Sequence, residues 1–261
     1  MTAMLRWTSI LFVGLAPVFA DPQWEPVGKA GDWANTAAMA GMGGSVWTVE
    51  ASGTLYKTDK AGVWAAVGKA GDWANTVAMA ASDDKLYTLE TAGNLYATDA
   101  EGKWAQVGTT PEWTNVTAAA VWDGEVWTCE MNGMLSKTDA TGKKTAVVKV
   151  GSGGGASAMV AFDGALWVIH GSGKIFKVDK AGKAEGVGDG AWCAGTKAML
   201  VLDGTLYTIE NDGSLNKLAK TGEKENVIEG GKVAFPVGLA ALDGTLWTID
   251  KDGTLYRANL K

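Results

Sequence analysis

The amino-acid sequence predicts an all-β fold, a six-bladed β-propeller of four-stranded antiparallel blades closed by its own N-terminal strand. Three observations predict it: a 40-residue repeat that runs through six copies in one register, four β-rich runs in each copy, and termini that fall on complementary strand types.

The repeat is read first from Trp24-x-x-Val27-Gly28, which returns as Trp64-x-x-Val67-Gly68 and Trp104-x-x-Val107-Gly108 and then decays to Val147-Val148, Val187-Gly188 and Val227-Ile228. A second column holds Val46-Trp47-Thr48-Val49-Glu50 and its counterparts, down to Leu246-Trp247-Thr248-Ile249-Asp250. Glycines follow it in every copy, at Gly53, Gly93, Gly133, Gly173, Gly213 and Gly253. The units are 24–63, 64–103, 104–143, 144–183, 184–223 and 224–261, within a single domain spanning 21–261.

Runs rich in β-branched and aromatic residues, punctuated by Gly, Asp and Asn, read as strands; in the second unit they fall at about 64–68, 77–81, 86–90 and 94–99. Asp123-Gly124, Asp163-Gly164, Asp203-Gly204 and Asp243-Gly244 supply the positive φ angles of tight hairpins. The run before each such turn is rich in small residues, as in Ala37-Ala38-Met39-Ala40, which suits strands crowded about an axis. The chain starts on an outermost-type strand at Trp24 and ends on a third strand at Leu255-Tyr256-Arg257, so the first strand completes the last blade and removes a free edge.

Residues 1–20 carry one charge, Arg6, an apolar stretch, and a small-residue ending at Val18-Phe19-Ala20, the pattern of a secretory signal cleaved before Asp21. A secreted or periplasmic protein is therefore expected. The formal charge of −6, or −7 once Arg6 is removed, disfavours nucleic acid and anionic membranes, which need a basic surface. Cys129 and Cys193 lie in different columns of non-adjacent repeats, and a disulfide is not the favoured reading. Asn115-Val116-Thr117 matches a glycosylation sequon.

Two recurring constellations fall on one end of the ring. One is the loop entering the innermost strand: Asp32, Trp33 and Asn35; Asp72, Trp73 and Asn75; Glu112, Trp113 and Asn115; and Trp192, one place earlier in its repeat. The other is the acid ending each second strand, at Glu50, Glu90, Glu130, Glu210 and Asp250, with His170 in the fourth unit. An indole beside carboxylates and amides suits sugar, because the ring stacks on C–H groups while the polar groups meet hydroxyls. The alternative is that the tryptophans plug the gaps between blades and the acids cap nearby backbone.

Catalytic patterns are poor. A single histidine makes a His-based metal centre or a Ser-His-Asp triad improbable, repeated acids look structural, and the glycines follow the repeat rather than a phosphate loop. No cofactor and no metal are expected.

The Trp-x-x-Val-Gly motif, with Gly53-Thr54-Leu55-Tyr56 and Gly93-Asn94-Leu95-Tyr96, resembles tectonin-type and tachylectin-like propeller lectins. That resemblance implies a secreted, non-enzymatic binder of glycans or cell-surface saccharides. A weaker likeness to quinoprotein-type repeats lies in residues 96–104, without a cofactor site, and the Gly-His and Trp-Asp signatures of WD40 repeats do not recur along the chain. The expectation is a monomeric carbohydrate-binding propeller; a protein-interaction scaffold is the alternative, and an enzyme using the axial funnel stands third.

Overall fold

The computed structural model describes residues 22–260, so the expected signal segment lies outside the described residues. The described chain folds into six four-stranded antiparallel sheets arranged as the blades of a propeller, with no helix.

The first blade comprises Thr36–Met42, Ser45–Glu50, Leu55–Thr58 and Trp64–Val67, from the axis outward. The second comprises Thr76–Ala81, Leu86–Glu90, Leu95–Thr98 and Trp104–Val107, close to the strands expected from sequence. The third holds Val116–Trp122, Glu125–Glu130, Met134–Thr138 and Lys144–Lys149. Ala156–Phe162, Ala165–His170, Ile175–Val178 and Ala184–Val187 form the fourth. Thr196–Leu202, Thr205–Glu210, Leu215–Leu218 and Lys224–Ile228 form the fifth. Each outermost strand thus comes from the start of the following sequence unit.

The sixth blade has Ala240–Leu242, Thr245–Ile249 and Leu255–Asn259 from the chain end, and its fourth strand is Glu25–Val27. Glu25 pairs with Arg257 and Val27 with Leu255, which closes the ring as the termini require. Trp24 secures the seal: it is fully buried and its indole N–H donates to the Gly213 carbonyl at 3.0 Å.

The Asp-Gly hairpins adopt the expected left-handed pair of residues, for example Asp123 at φ 51° and Gly124 at φ 77°. The innermost strands of the first five blades each start with a bulge, seen as a register shift between Thr36 and Ala38 and at the equivalent places. The extra residues, Ala37, Val77, Thr117, Ser157 and Lys197, line one of two axial cavities of about 200 and 290 Å³. Lys197 is the only charged side chain lining either of them among the described residues.

The core is a set of six seams rather than one centre. In the seam between the first and second blades, Met42, Trp47, Val49 and Leu55 pack with Trp73, Met79 and Leu86. Sandwiching between neighbours covers both faces of a blade, which is why the second strands read as continuously apolar: all six residues of Ala165–His170 are buried. The methionine column near the axis has the same cause, with Met39, Met159 and Met199 each packed into a seam.

Candidate functional site

The two constellations do meet on one end of the ring, and backbone hydrogen bonds bring them together. Trp73 N–H and Gly71 N–H donate to the Gly53 carbonyl of the preceding blade at 3.2 and 3.0 Å. The loop is tied to its own blade by Thr91 N–H donating to the Asn75 carbonyl at 3.0 Å. The same stitching recurs at Trp33 with Gly253 and at Trp113 with Gly93.

This arrangement corrects the reading of the loop tryptophans as stacking platforms. Trp33, Trp73 and Trp113 are 3, 2 and 0 % exposed, with their rings driven into the structure rather than offered to solvent. The Trp73 and Trp113 indoles donate to the hydroxyls of Thr98 and Thr138 at 3.3 and 3.0 Å. Glycine in the Val-Gly motif makes room for each ring: a Cβ on Gly28, Gly68 or Gly108 would lie 2.8, 2.4 or 2.6 Å from the ring carbons of Trp33, Trp73 or Trp113. The two motifs of the repeat are therefore one packing unit.

Asn35, Asn75 and Asn115 occupy the left-handed region, with φ of 66°, 65° and 58°, and their carbonyls accept from Ala51, Thr91 and Met131. Asparagine tolerates this conformation better than most residues, so the backbone explains the column. Asp32 accepts from the Lys29 backbone N–H at 3.2 Å, and Glu112 accepts from the Thr109 hydroxyl. Asp72 differs, because its carboxylate holds the indole of Trp104 at 3.0 Å.

Shifting a tryptophan by one place reverses its fate. Cys193 fills the seam position of the fifth blade, 1 % exposed and with its backbone N–H donating to the Gly173 carbonyl, so Trp192 turns outward and is 48 % exposed. In the fourth unit the loop is Gly151-Ser152-Gly153-Gly154-Gly155, and His170 is buried beside it. Its Nδ1 accepts from Ser172 N–H at 3.1 Å, while Nε2 lies against Gly151 without a hydrogen-bond partner.

The strand-end acids are half-buried and engaged locally. Glu50 accepts from the Ser52 hydroxyl at 3.1 Å and Glu90 from the Asn94 amide at 2.8 Å. Glu130 and Glu210 form ion pairs with Lys144 and Lys224 at 2.8 and 2.7 Å. Buried Asp250 accepts from the backbone N–H of Asp252 and Thr254.

Sequence reasoning missed the exposed aromatic residues of the outermost strands. Trp64 and Trp104 are 44 and 42 % exposed on the rim of the first two blades. Each is held by a tyrosine: Tyr56 meets Trp64 at 5.3 Å and 87°, and Tyr96 meets Trp104 at 5.1 Å and 80°. Burial and the nearby Glu90 charge push the Tyr96 hydroxyl above its ordinary pKa. Lys144 and Lys224 stand at the same repeat position in the third and fifth blades, where they reach back to Glu130 and Glu210. Where the first two blades present an indole, these blades present an ion pair.

Both cysteines are free thiols, buried in the seams. Burial pushes the Cys129 thiol up to about 11. Among the described residues no group of three or more His, Cys, Asp or Glu gathers to hold a metal, and no helix is long and apolar enough to cross a membrane.

No model of a known protein family matches the chain, and no curated protein matches it. Solved structures do. A catalytically inactive variant of virginiamycin B lyase from Staphylococcus aureus, with quinupristin, aligns over 84 % of this chain and 78 % of its own, with TM-score 0.64 and 16 % identity. A structural genomics protein of unknown function from Bacteroides thetaiotaomicron covers 91 % of this chain and 72 % of its own, with TM-score 0.73 and 12 % identity. A chain of the nidogen/laminin complex covers 80 and 85 %, with TM-score 0.67 and 10 % identity.

These likenesses correct two expectations. The lectin families find no support beyond the propeller class. The expectation of a protein that is not an enzyme is overturned, because a lyase stands among the structural neighbours and the fold therefore gives no ground for excluding catalysis. What the likenesses establish for this chain is its fold, a six-bladed β-propeller.

Proposed function

We propose that this propeller is a multivalent recognition protein that binds carbohydrate at the rim of its first two blades. The observation that carries the reading is the pair of exposed indoles, Trp64 and Trp104, each braced by a tyrosine, on blades whose strand-end carboxylates Glu50 and Glu90 have no lysine partner. A braced indole face stacks on the C–H groups of a sugar ring at little cost in side-chain entropy, and Glu90, Asn94 and Asp72 supply acceptors and a donor for hydroxyls. Two platforms at corresponding positions of adjacent blades convert weak single contacts into avidity for a repeating saccharide. The apolar segment before Asp21 fits such a role outside the cytoplasm.

The test is a glycan-array screen of the chain from Asp21 onward, followed by titration of each hit with tryptophan fluorescence. Saturable binding that shifts the emission, and weakens in Trp104→Ala, supports the reading. A blank array, or binding indifferent to Trp64 and Trp104, removes it.

A second reading, docking of a protein partner, is favoured by a different surface. The end of the ring bearing the entering loops exposes Trp192, Phe235 and Met131 at 48, 62 and 59 %. Scattered large apolar residues on one face are the anchors protein interfaces use. Capture of a partner that is lost in Phe235→Ser and Trp192→Ser, with rim variants silent, would select this reading.

A further inference from the structure

The end of the ring opposite the entering loops carries an exposed ion pair at two of its seams. Lys220, in the turn before the outermost strand of the fifth blade, pairs with Asp163 in the first hairpin of the fourth at 2.6 Å, and Lys180 pairs likewise with Asp123. The corresponding residues at the seam where the ring closes are Lys60 and Asp243. They do not pair; instead both line a cavity of about 410 Å³, together with Trp247, Arg257, Glu25 and Thr245.

A second irregularity falls in the same cavity. The indoles equivalent to Trp247 in the first and fourth blades, Trp47 and Trp167, donate to the carbonyls of Met42 and Phe162 at 3.0 and 3.2 Å. Trp247 is 1 % exposed, yet its Nε1 has no hydrogen-bond partner. An unmet buried donor is unfavourable, and a bound acceptor would relieve it. The third blade shares the open donor, since Trp127 Nε1 also has no partner, but its cavity of about 160 Å³ is occupied by the Lys137–Glu125 pair at 3.0 Å and by the Lys180–Asp123 pair. Around Trp247 the only ion pair among the described residues is the long one from Arg257 to Glu25, at 3.6 Å.

The cavity therefore presents an indole donor, a guanidinium and an ammonium beside two carboxylates, with space for a small molecule. We propose that it binds a small zwitterion of the α-amino-acid type. The ligand's carboxylate accepts from Trp247 Nε1 and from Arg257 or Lys60, and its ammonium lies against Asp243 and Glu25. Because Glu25 belongs to the closing strand and Lys60 to the first blade, an occupant bridges both sides of the ring closure. Binding should then raise the melting temperature. This site is separate from the rim tryptophans.

The experiment is a thermal-shift and calorimetric screen of the chain from Asp21 onward against the common free amino acids at millimolar concentration, with their N-acetyl and methyl-ester forms as controls. The expected result is a rise of a few degrees with at least one free amino acid. Blocking either charge, or introducing Asp243→Asn, which keeps a residue tolerant of the left-handed turn, should abolish the rise. Trp247→Phe keeps the packing, removes the donor and should weaken binding at least tenfold. No response to any free amino acid overturns the proposal. So does a response that survives both Asp243→Asn and Trp247→Phe, or one shared equally by the blocked forms.

Discussion

Tryptophan plays opposite parts at two places in the same repeat. At the seam, Trp73 is sealed beneath Gly68 with its N–H spent on Thr98, and its neighbour loops close over it. At the rim, 31 residues later by sequence number, Trp104 lies on the outermost strand with much of its ring in solvent and its N–H held by Asp72. Both rings are fixed, but only the second has a face to offer. The difference teaches that a tryptophan is packing where a glycine makes room for its ring, as Gly68 does for Trp73, and surface where its place in the repeat also accepts Lys or Ala, as 144, 184 and 224 do; Trp24, in that same column, is buried at the ring closure.

The largest expected effect breaks the seam. Trp73→Ala should cost about 3–5 kcal/mol, seen as a lower midpoint in urea, because the cavity sits between two blades that cannot collapse onto it. An exposed-platform role would leave the midpoint nearly unchanged. Gly68→Ala probes the same unit from the other side. With φ at +67° and ring carbon 2.4 Å from any Cβ, it should cost about 1–3 kcal/mol by equilibrium unfolding.

Seam burial also has a pH signature. The buried Cys129 thiol titrates at about 11, above its ordinary value of 9.0, so folding favours the protonated form. Below pH 9 both states keep the proton and stability is unaffected by this group; as pH rises from about 9 towards 11 the unfolded thiol ionises first and stability falls. The loss should be on the order of 2 kcal/mol and should vanish in Cys129→Ala, as measured by unfolding at pH 8 and pH 11.

A smaller effect is expected where the rim carries an ion pair. Lys144→Met leaves half-buried Glu130 with only Asn132 as a side-chain partner and should cost about 1 kcal/mol in unfolding free energy. Lys144→Trp is the informative companion, since it loses the same ion pair at a similar cost but installs the indole of the first two blades on the third and should add a stacking platform.

Much of the fold was legible in residues alone. The repeat, the Asp-Gly turns, the small-residue inner strands and the closure by Glu25–Val27 all follow from local rules that the structure obeys. The site was less so. Nothing in Asp72-Trp73-Ala74-Asn75 by itself says that the ring points inward, because burial is decided by Gly68 and by Gly53 of another blade. The signal existed as a five-residue spacing, Gly28 to Trp33, Gly68 to Trp73 and Gly108 to Trp113, that holds in the first three units. Trp64 and Trp104 were read only as strand starts, since an edge strand's exposed face becomes visible once the sheet order is known. The cavity beside Trp247 lay beyond sequence altogether: it arises from an ion pair left open between Lys60 and Asp243, 183 positions apart in numbering.

The most direct test of the central claim is binding of an array-identified oligosaccharide to the double variant Trp64→Ala, Trp104→Ala, measured beside its melting temperature. The account predicts that binding is lost while the melting temperature stays within a few degrees of the parent. Binding retained by the double variant, or lost only together with the fold, would contradict it.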